Sequence, residues 1–274
     1  MDSILNDTLI SVVMGIRYRR DNTFLLRRAL DSILNQTHTD LEIIICERGS
    51  NSIAKSCLIE YAKRDDRIYI IDGSKTSSFS EQLNLCLSVS RGKWIARMDD
   101  DDYSFPERLE LQLDFLKRNP QYAFVGCESL LIQDGKEIGQ TDFPNEPVVK
   151  DFLFTQPFIH PSLVFRKEAL EKVGGYLGIP RCDRCEDYDL LLRLYEKGMR
   201  GYNIHQPLFA YSVPPKGITN RNFHDRINET RTRFVRFKEL KLLPWALPYV
   251  IKPIAVWIVP KKLLVYLKNR TIKK

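Results

Sequence analysis

The chain has 274 residues, of which 43% are hydrophobic, and a formal net charge of +7. This length and composition support one large domain with a substantial core, and they exclude a chain that is disordered throughout. The positive charge is unevenly distributed: residues 214–274 hold fifteen Lys or Arg and three Asp or Glu, a net charge of +12, so residues 1–213 carry −5. The basic character therefore belongs to the C-terminal segment.

Strand-like and helix-like segments alternate from residue 9 to residue 98. Branched apolar runs predict strands at 9–14, 41–46, 68–71 and 94–98, and amphipathic periodicity predicts helices at 24–34, 52–63 and 79–88. Such alternation specifies an α/β fold with a mostly parallel, doubly wound sheet and helices on both faces. The loops that follow its strands should meet at one edge of the sheet, where ligands of open α/β folds bind.

The pattern changes after residue 105. Pro106 is expected to start a helix, and two short strands around a turn are expected at 122–127 and 130–132, with a further turn at Asp134-Gly135. The segment 158–165 mixes a strand-like pattern with polar groups. Gly174-Gly175 is predicted to end a short helix, and a run of acidic residues after Cys185 opens an amphipathic helix.

Four consecutive carboxylates, residues 99–102, directly follow the predicted strand at 94–98. Adjacent carboxylates repel one another, so a folded loop that holds them together raises their pKa values unless a cation neutralises them. Mg2+ or Mn2+ would suit such a loop, because these ions prefer oxygen ligands and commonly bridge protein carboxylates to phosphates. The alternative is a solvated acidic turn, but such a turn has no need to follow a buried strand so closely.

A second acidic group, Glu186, Asp187 and Asp189, lies at the start of a predicted helix. The helix dipole alone favours carboxylates in a first turn, so the residue pattern leaves a structural and a functional role open. Neither GxGxxG nor GxxxxGK[ST] occurs, which excludes the common dinucleotide fingerprint and the P-loop. Nucleotide binding would therefore rest on side chains and a metal ion.

The six cysteines and the polar N-terminus predict a cytoplasmic location. Four of the cysteines lie in apolar or amphipathic runs, where free thiols pack as small hydrophobic groups. Cys182 and Cys185 have the spacing of a metal or redox pair, but no second pair or histidine cluster accompanies them. We interpret them as two thiols in a loop. Residues 1–8 lack the apolar stretch of a secretion signal.

Short motifs occur along the chain: SVVM at 11–14, SILNQT at 32–37, IARMDDDD at 95–102, PERL at 106–109 with Gln112, HPS at 160–162, GGY at 174–176 and EDYD at 186–189. Their order and spacing resemble the family 2 glycosyltransferases with a GT-A fold, especially bacterial enzymes that build surface polysaccharides. The similarity covers roughly residues 9–213.

The resemblance implies roles for both acidic groups. The family's DxD motif corresponds to Asp99-Asp100-Asp101, in which Asp101 would coordinate Mn2+ or Mg2+ on the donor diphosphate and Asp99 or Asp100 would contact the ribose side. The family's Glu-Asp motif corresponds to Glu186-Asp187. Asp187 would be the catalytic base that deprotonates the acceptor hydroxyl, giving inversion at the anomeric carbon.

The remaining candidates line the donor and acceptor sides. Gly15, Arg17, Glu47 and Arg97 are expected to contact the nucleotide sugar, for which a UDP-sugar is the expected donor. The chain departs from the family where Asp-Asp-Gly-Ser often follows the second strand. Here the segment is Glu-Arg-Gly-Ser at 47–50, and an arginine cannot accept the hydrogen bond that the second Asp accepts from the base.

On the acceptor side, His160 and Glu186 are the candidates. His160 has no other histidine at metal-site spacing, and a single histidine before proline is more often a hydrogen-bonding loop residue. The family places a similar His-Pro-Ser near its acceptor, which makes His160 an acceptor-side residue by resemblance.

We divide the chain into a GT-A domain at 1–213 and a tail at 214–274. Within the domain, about 1–104 would bind the nucleotide sugar and 105–213 the acceptor. The tail should begin with a basic helix at 220–241 and continue with an apolar segment at 242–260, which four prolines interrupt. A membrane-spanning helix needs about 20 unbroken apolar residues.

A membrane-surface contact suits this tail better than a span. Aromatic side chains at 245, 249, 257 and 266 are flanked by basic ones, as is typical of the interface with anionic lipids. The alternative is a tail that packs on its own domain or in a dimer. Nucleic acid is not an expected partner, and a homo-oligomer remains open.

These observations predict a metal-dependent inverting glycosyltransferase, of the hexosyl- or N-acetylhexosaminyl-transferase type, at the inner face of the cell membrane. Its acceptor would be a glycan or a lipid-linked molecule in polysaccharide or lipopolysaccharide biosynthesis. A metal-dependent nucleotidyltransferase is one alternative, although no glycine-rich triphosphate loop occurs. A catalytically silent GT-A-like binding module is the other.

Overall fold

The structure is a computed structural model that describes residues 7–214 and 221–258. Its strands are β1 (Ile10–Ile16), β2 (Leu41–Glu47), β3 (Ile68–Asp72), β4 (Trp94–Arg97), β5 (Tyr103–Ser104), β6 (Tyr122–Gln133), β7 (Lys136–Gln140), β8 (Val164–Arg166) and β9 (Arg200–Ser212). Its helices are α1 (Phe24–Leu34), α2 (Ser52–Arg64), α3 (Phe79–Val89), α4 (Arg108–Arg118), α5 (Lys167–Lys172), α6 (Glu186–Glu196), α7 (Phe223–Glu239) and α8 (Leu247–Ile258).

The described strands form one sheet in the order β3-β2-β1-β4-β8-β6-β9-β5, and β7 pairs with β6. The first half is parallel, because β1 pairs in parallel with β2 and β4, and β2 pairs in parallel with β3. Ile16 lies opposite Glu47, and Val13 lies opposite Arg97. The carboxyl ends of these strands therefore meet at one edge, as the sequence predicts.

Helices cover both faces of the sheet. Alternate strand residues point to opposite sides, so Val12 and Met14 join one hydrophobic cluster with α1, α2 and α4, whereas Val13 joins the other. The second cluster contains α3, α5, α6, α7 and α8. The mostly parallel, doubly wound α/β architecture with two helical layers is confirmed.

The second half of the sheet differs from the prediction. Residues 122–132 were expected to form two strands around a turn, but they form the single strand β6. A buried carboxylate in its middle, that of Glu128, is held by the His205 ring and the Gln140 side chain, so the polar residue does not break the strand. The long strand β9, parallel to β6, was not predicted.

Two smaller boundaries also differ. The helix expected to start at Pro106 begins at Arg108. The segment around His160 forms a short 3-10 turn, His160–Ser162, before β8 begins at Val164. Among the described residues, all six cysteines are free and buried.

The described part of the C-terminal segment packs on the domain. The predicted basic helix is observed as α7, and Phe237 and Ala246 are fully buried in the second hydrophobic cluster. Within 7–214 and 221–258, no helix is long and apolar enough to cross a membrane. Residues 259–274, including the aromatic side chain at 266, lie outside the described residues. The domain boundaries at about 104 and at 213 stay predictions.

Candidate active site

A cavity of about 470 Å³ lies beside the carboxyl end of β4 and the start of α6. It brings together five of the residues that the sequence singled out: Arg97, Asp99, His160, Glu186 and Asp187. Residues 97–99 and 186–187 are far apart in sequence, and the sheet and α6 place them around one space. This cavity is the candidate active site.

Arg97 anchors the segment of four carboxylates at 99–102, which we call the acidic loop, at this cavity. Its guanidinium is buried, forms an ion pair with Asp99 and lies 5.2 Å from the centre of the Phe79 ring. A Cβ at Gly15 would come within 2.7 Å of the same ring. Gly15 is thus needed where β1 and α3 pack closely, and its expected contact with the nucleotide stays a prediction.

The other acidic-loop carboxylates lie in different surroundings. Asp101 forms an ion pair with Arg20 at 2.6 Å and lines a second cavity, of about 560 Å³. Asp102 is buried and accepts the Ser212 backbone N–H at 2.7 Å. Its other oxygen, Oδ2, has no hydrogen-bond partner among the described residues. The structure therefore brings Asp99, but not Asp101, into the cavity of Asp187.

Burial and mutual repulsion raise the pKa values of this loop. Burial, together with the charges of Asp101 and Asp99, raises the pKa of Asp100 to about 7. Burial and the charge of Asp99 also raise the pKa of Asp101, and burial raises that of Asp102 well above its usual value. Ionisation of these carboxyl groups is therefore disfavoured in the loop, and a bound cation would favour it.

These features fit a hard divalent cation. The donor atoms are all carboxylate oxygens, and one of them, Asp102 Oδ2, is buried without a partner. The described residues contain no group of three His, Cys, Asp or Glu that could form a complete protein site. Mg2+ suits such a loop because it commonly takes one or two protein carboxylates and fills its shell with water and phosphate oxygens.

Asp187 and Glu186 occupy the first turn of α6 and are half-buried. Burial raises the pKa of Asp187, although the Tyr188 backbone N–H, at 2.7 Å from Asp187 Oδ1, and the charge of Arg221 act in the opposite direction. Burial and the charge of Asp187 raise the pKa of Glu186 to about 7. A carboxylate with a raised pKa is a stronger base, as deprotonation of a hydroxyl requires.

His160 lines the same cavity as Asp99 and Asp187. It is buried, and its Nε2 lies 3.0 Å from the Tyr176 hydroxyl. Burial and the positive charge of Arg97 hold the pKa of His160 well below its usual range. The ring is therefore neutral and can act as a hydrogen-bonding group in the cavity wall.

Arg17 and Glu47 lie together in a separate cavity of about 310 Å³ at the ends of β1 and β2. Glu47 Oε1 accepts the Ser50 backbone N–H at 2.6 Å, and Glu47 Oε2 lies 3.6 Å from Lys55 Nζ. The side chain of Arg48 lines the same cavity. Of the expected nucleotide-sugar contacts, Arg17 and Glu47 thus lie together here, whereas Arg97 and Asp99 line the cavity of Asp187.

Sequence reasoning missed the basic residues that line the 470 Å³ cavity from the C-terminal segment. These are Arg221, Arg226, Arg233 and Lys252. Arg226 and Arg233 are seven positions apart in α7, with Glu229 between them, so they share one helix face. That spacing was visible in the sequence, but nothing local indicates that this face turns toward α6.

Comparison with solved structures identifies the fold. TarS of S. aureus superposes with a TM-score of 0.66 over 88% of this chain, at 14% identity; the chain spans 43% of that TarS chain. The mannosyltransferase PcManGT of Pyrobaculum calidifontis, solved with GDP-Man and Mn2+, superposes with a TM-score of 0.60 over 96% of this chain and 79% of its own, at 17% identity. The chain has the GT-A fold of these glycosyltransferases.

Sequence comparison identifies the family. The profile of Glycosyl transferase family 2 matches residues 18–174. A Bacillus subtilis protein named "Putative glycosyltransferase EpsE" is 33% identical over 97% of this chain and 93% of its own. The O-antigen biosynthesis glycosyltransferase WbnJ of Escherichia coli is 35% identical over 76% of this chain and 81% of its own.

The chain therefore belongs to glycosyl transferase family 2 and is a glycosyltransferase. The resemblance noted from its motifs is confirmed, including the link to bacterial surface-polysaccharide enzymes. Family membership selects this activity over the nucleotidyltransferase and the silent binding module.

Proposed function

We propose that this glycosyltransferase moves a sugar from a nucleoside-diphosphate donor, a UDP-sugar, to a hydroxyl of a glycan or lipid-linked acceptor in bacterial polysaccharide or lipopolysaccharide assembly. The observation that carries the proposal is the 470 Å³ cavity, which Asp99 of the acidic loop and Asp187 of α6 both line. A donor at the acidic loop and an acceptor at α6 would then meet in one space.

In this proposal, Asp187 accepts the proton of the acceptor hydroxyl. The hydroxyl oxygen forms a bond to the anomeric carbon as the bond from that carbon to the diphosphate breaks, so the configuration inverts in one displacement. The raised pKa of Asp187 supports its role as the base. Neutral His160 and the neighbouring Glu186 would orient the acceptor from the same wall.

Asp101 would hold Mn2+ or Mg2+, with Asp99 or Asp100 on the ribose side, and a bound divalent cation would offset the charge that builds on the departing diphosphate. The complexes of relatives of the fold support this assignment. PcManGT was solved with GDP-Man and Mn2+, and TarS was solved with UDP-GlcNAc. Arg17 and Glu47, in their own cavity, would contact the nucleotide, and Arg97 would contact the phosphates.

We further propose that the enzyme works at the inner face of the cell membrane. Its helix α8 has a buried side, at Val250 and Pro253, and another side on which Ile251 and Ile258, seven positions apart, are 55% and 70% exposed. An exposed apolar side of this kind, with the basic residues that follow α8 in the sequence, suits the membrane interface. A surface position would also suit a lipid-linked acceptor.

Replacing Asp187 by Asn tests the role of the base. An amide of nearly the same shape cannot accept the proton, so turnover should fall by about 100-fold or more. Turnover is measured as release of nucleoside diphosphate from a panel of nucleotide sugars, and nucleotide affinity should be unchanged. The matched control is Asp183→Asn, an exposed position four residues earlier. Wild-type turnover in Asp187→Asn would contradict the proposal.

A further inference from the structure

One wall of the 470 Å³ cavity is basic. It is formed by Arg221, Arg226 and Arg233, from α7 and the residue before its N-cap, and by Lys252 from α8. We call these four residues the basic wall. Of the carboxylates that line the cavity, Glu229 lies in α7 itself, whereas Asp99 comes from the acidic loop and Glu186 and Asp187 come from α6.

The basic wall shares one carboxylate among three guanidinium groups. Glu229 forms ion pairs with Arg221 at 2.7 Å, with Arg226 at 3.4 Å and with Arg233 at 3.0 Å. Arg226 Nε has no hydrogen-bond partner among the described residues. Positive charge in this wall therefore exceeds what Glu229 alone can neutralise.

Burial makes this excess costly. Burial lowers the pKa of Arg226, and the positive charge of Arg221 lowers it further. Burial also lowers the pKa of Lys252 to about 8. Cations that are held close together away from water are stabilised when an anion enters between them. A ligand with negative charge would supply what the wall lacks.

The four side chains of the basic wall differ in how free they are to contact a ligand. Arg233 is fixed by the protein, because it donates to the Leu153 carbonyl at 2.7 Å and lies 4.7 Å from the centre of the Tyr188 ring. Within the described part of the chain, the hydrogen bonds of the Arg226 and Arg221 side chains go to the Glu229 carboxylate, so both keep further N–H groups for a ligand. Arg226 and Arg221 are thus the best placed to contact one, with Lys252 at the same cavity.

The wall lies on the acceptor side of the cavity. Arg221 is close enough to Asp187 and Glu186 for its charge to act on both carboxylates, and Arg233 stacks on Tyr188, the next residue. The donor diphosphate is assigned to the acidic loop instead. An anion at the basic wall would thus be next to the base that receives the acceptor's proton.

We infer that the basic wall binds an anionic group, a phosphate or a carboxylate, which the acceptor carries near the hydroxyl that receives the sugar. This inference rests on the proposed function, since it needs Asp187 to face the acceptor. Guanidinium groups bind phosphate and carboxylate oxygens through charge-assisted and often bidentate hydrogen bonds. The wall would therefore select acidic over neutral acceptors.

The test titrates the full chain with three probes by ligand-observed NMR: glucose 1-phosphate, glucuronate and the neutral methyl glucoside. The wild type should bind at least one anionic probe about tenfold more tightly than methyl glucoside, and the better of the two identifies phosphate or carboxylate. Arg226→Gln should remove most of this preference, and Arg226→Lys should restore part of it. Arg231→Gln is the matched control, because Arg231 is exposed on the same helix.

A parallel titration with UDP and GDP separates this inference from the proposed function. Equal affinity for charged and neutral probes overturns the anion site, even when nucleotides bind. Loss of nucleotide affinity in Arg226→Gln overturns it as well, since the wall would then belong to the donor diphosphate. Absence of nucleotide binding in the wild type removes the proposed donor, whatever the sugar probes show.

Discussion

At the scale of single residues, two opposing effects act on the pKa values of Glu186 and Asp187: their position at a helix N-terminus and their burial. The N-terminus of α6 favours ionised carboxylates by its dipole. Burial in the cavity disfavours them, and both pKa values are raised. The desolvation cost therefore exceeds the stabilisation by the backbone N–H groups of this turn and the nearby arginines, which leaves a carboxylate that binds a proton more readily than a solvated one.

The rate should depend on pH through this raised pKa. Asp187 acts only when ionised, so kcat/KM should fall as pH drops through a pKa that lies above the ordinary aspartate value of 3.8. A pH–rate profile of donor turnover measures this acid limb. The residual activity of Asp187→Asn should lack it. A rate that stays constant down to about pH 4 would show that no group with a raised pKa acts as the base.

Glu186 should lower stability at high pH. Its pKa is about 7 in the folded chain, against the ordinary glutamate value of 4.5, so the folded state binds the proton more tightly and loses stability as pH rises from 4.5 to 7. Glu186→Gln should therefore raise the unfolding free energy by about 2 kcal/mol at pH 8 and change it little at pH 4. Urea unfolding at both pH values checks this. A gain of the same size at pH 4 would contradict it.

At the scale of elements, α6 is held by one buried carboxylate. Asp189 is fully buried and pairs with Arg181 at 3.1 Å, with Arg193 at 2.7 Å and with Arg236 of α7 at 3.1 Å. This cluster connects the turn before α6, α6 itself and α7. It therefore fixes the helix that carries Asp187 against the helix that carries the basic wall.

Asp189→Asn should destabilise the fold strongly. It leaves three partly buried arginines without their shared anion, which should cost about 3–5 kcal/mol. Asp114→Asn is the control, because Asp114 forms an exposed pair with Arg118 at 3.4 Å and should cost less than about 1 kcal/mol. Urea unfolding midpoints compare the two variants. Similar costs would show that the cluster does not hold α6.

The predictable elements are those whose pattern is local. Helix α1 was predicted at its observed bounds, because its apolar residues recur at helical spacing. Strand β9 was missed because polar residues and Pro207 interrupt its alternation. It is stabilised by long-range pairing with β6, with shifts of register around Glu128, and a local pattern does not encode such pairing.

At the scale of the whole molecule, the candidate site was predicted in part. The acidic loop and Asp187 could be predicted because they match the DxD and Glu-Asp motifs of the family. Asp99 and Asp187 line the same cavity, as expected. The basic wall was not predicted, because its role depends on how α7 packs against α6. The sequence showed the charges of Arg226 and Arg233, whereas only the packing shows the cavity that they line.

The exposed face of α8 should bind anionic membranes. Co-sedimentation with vesicles that contain phosphatidylglycerol should capture the chain, and salt should weaken this binding. Ile251→Ser with Ile258→Ser should reduce capture about tenfold or more, because two exposed apolar side chains on one helix face are lost. Ile59→Ser, at a 51% exposed position of α2, is the control. Equal capture of all three proteins would remove the membrane contact at α8.

The most direct test of the donor site is calorimetric titration with a panel of nucleoside diphosphates, with and without Mn2+. Wild type should bind one nucleotide in a metal-dependent way, and Asp101→Ala should lose that binding while Asp183→Ala keeps it. The nucleotide that binds also shows which base the segment with Arg48 accepts. Absence of binding to every nucleoside diphosphate, with Mn2+ present, would contradict a nucleotide-sugar donor at the acidic loop.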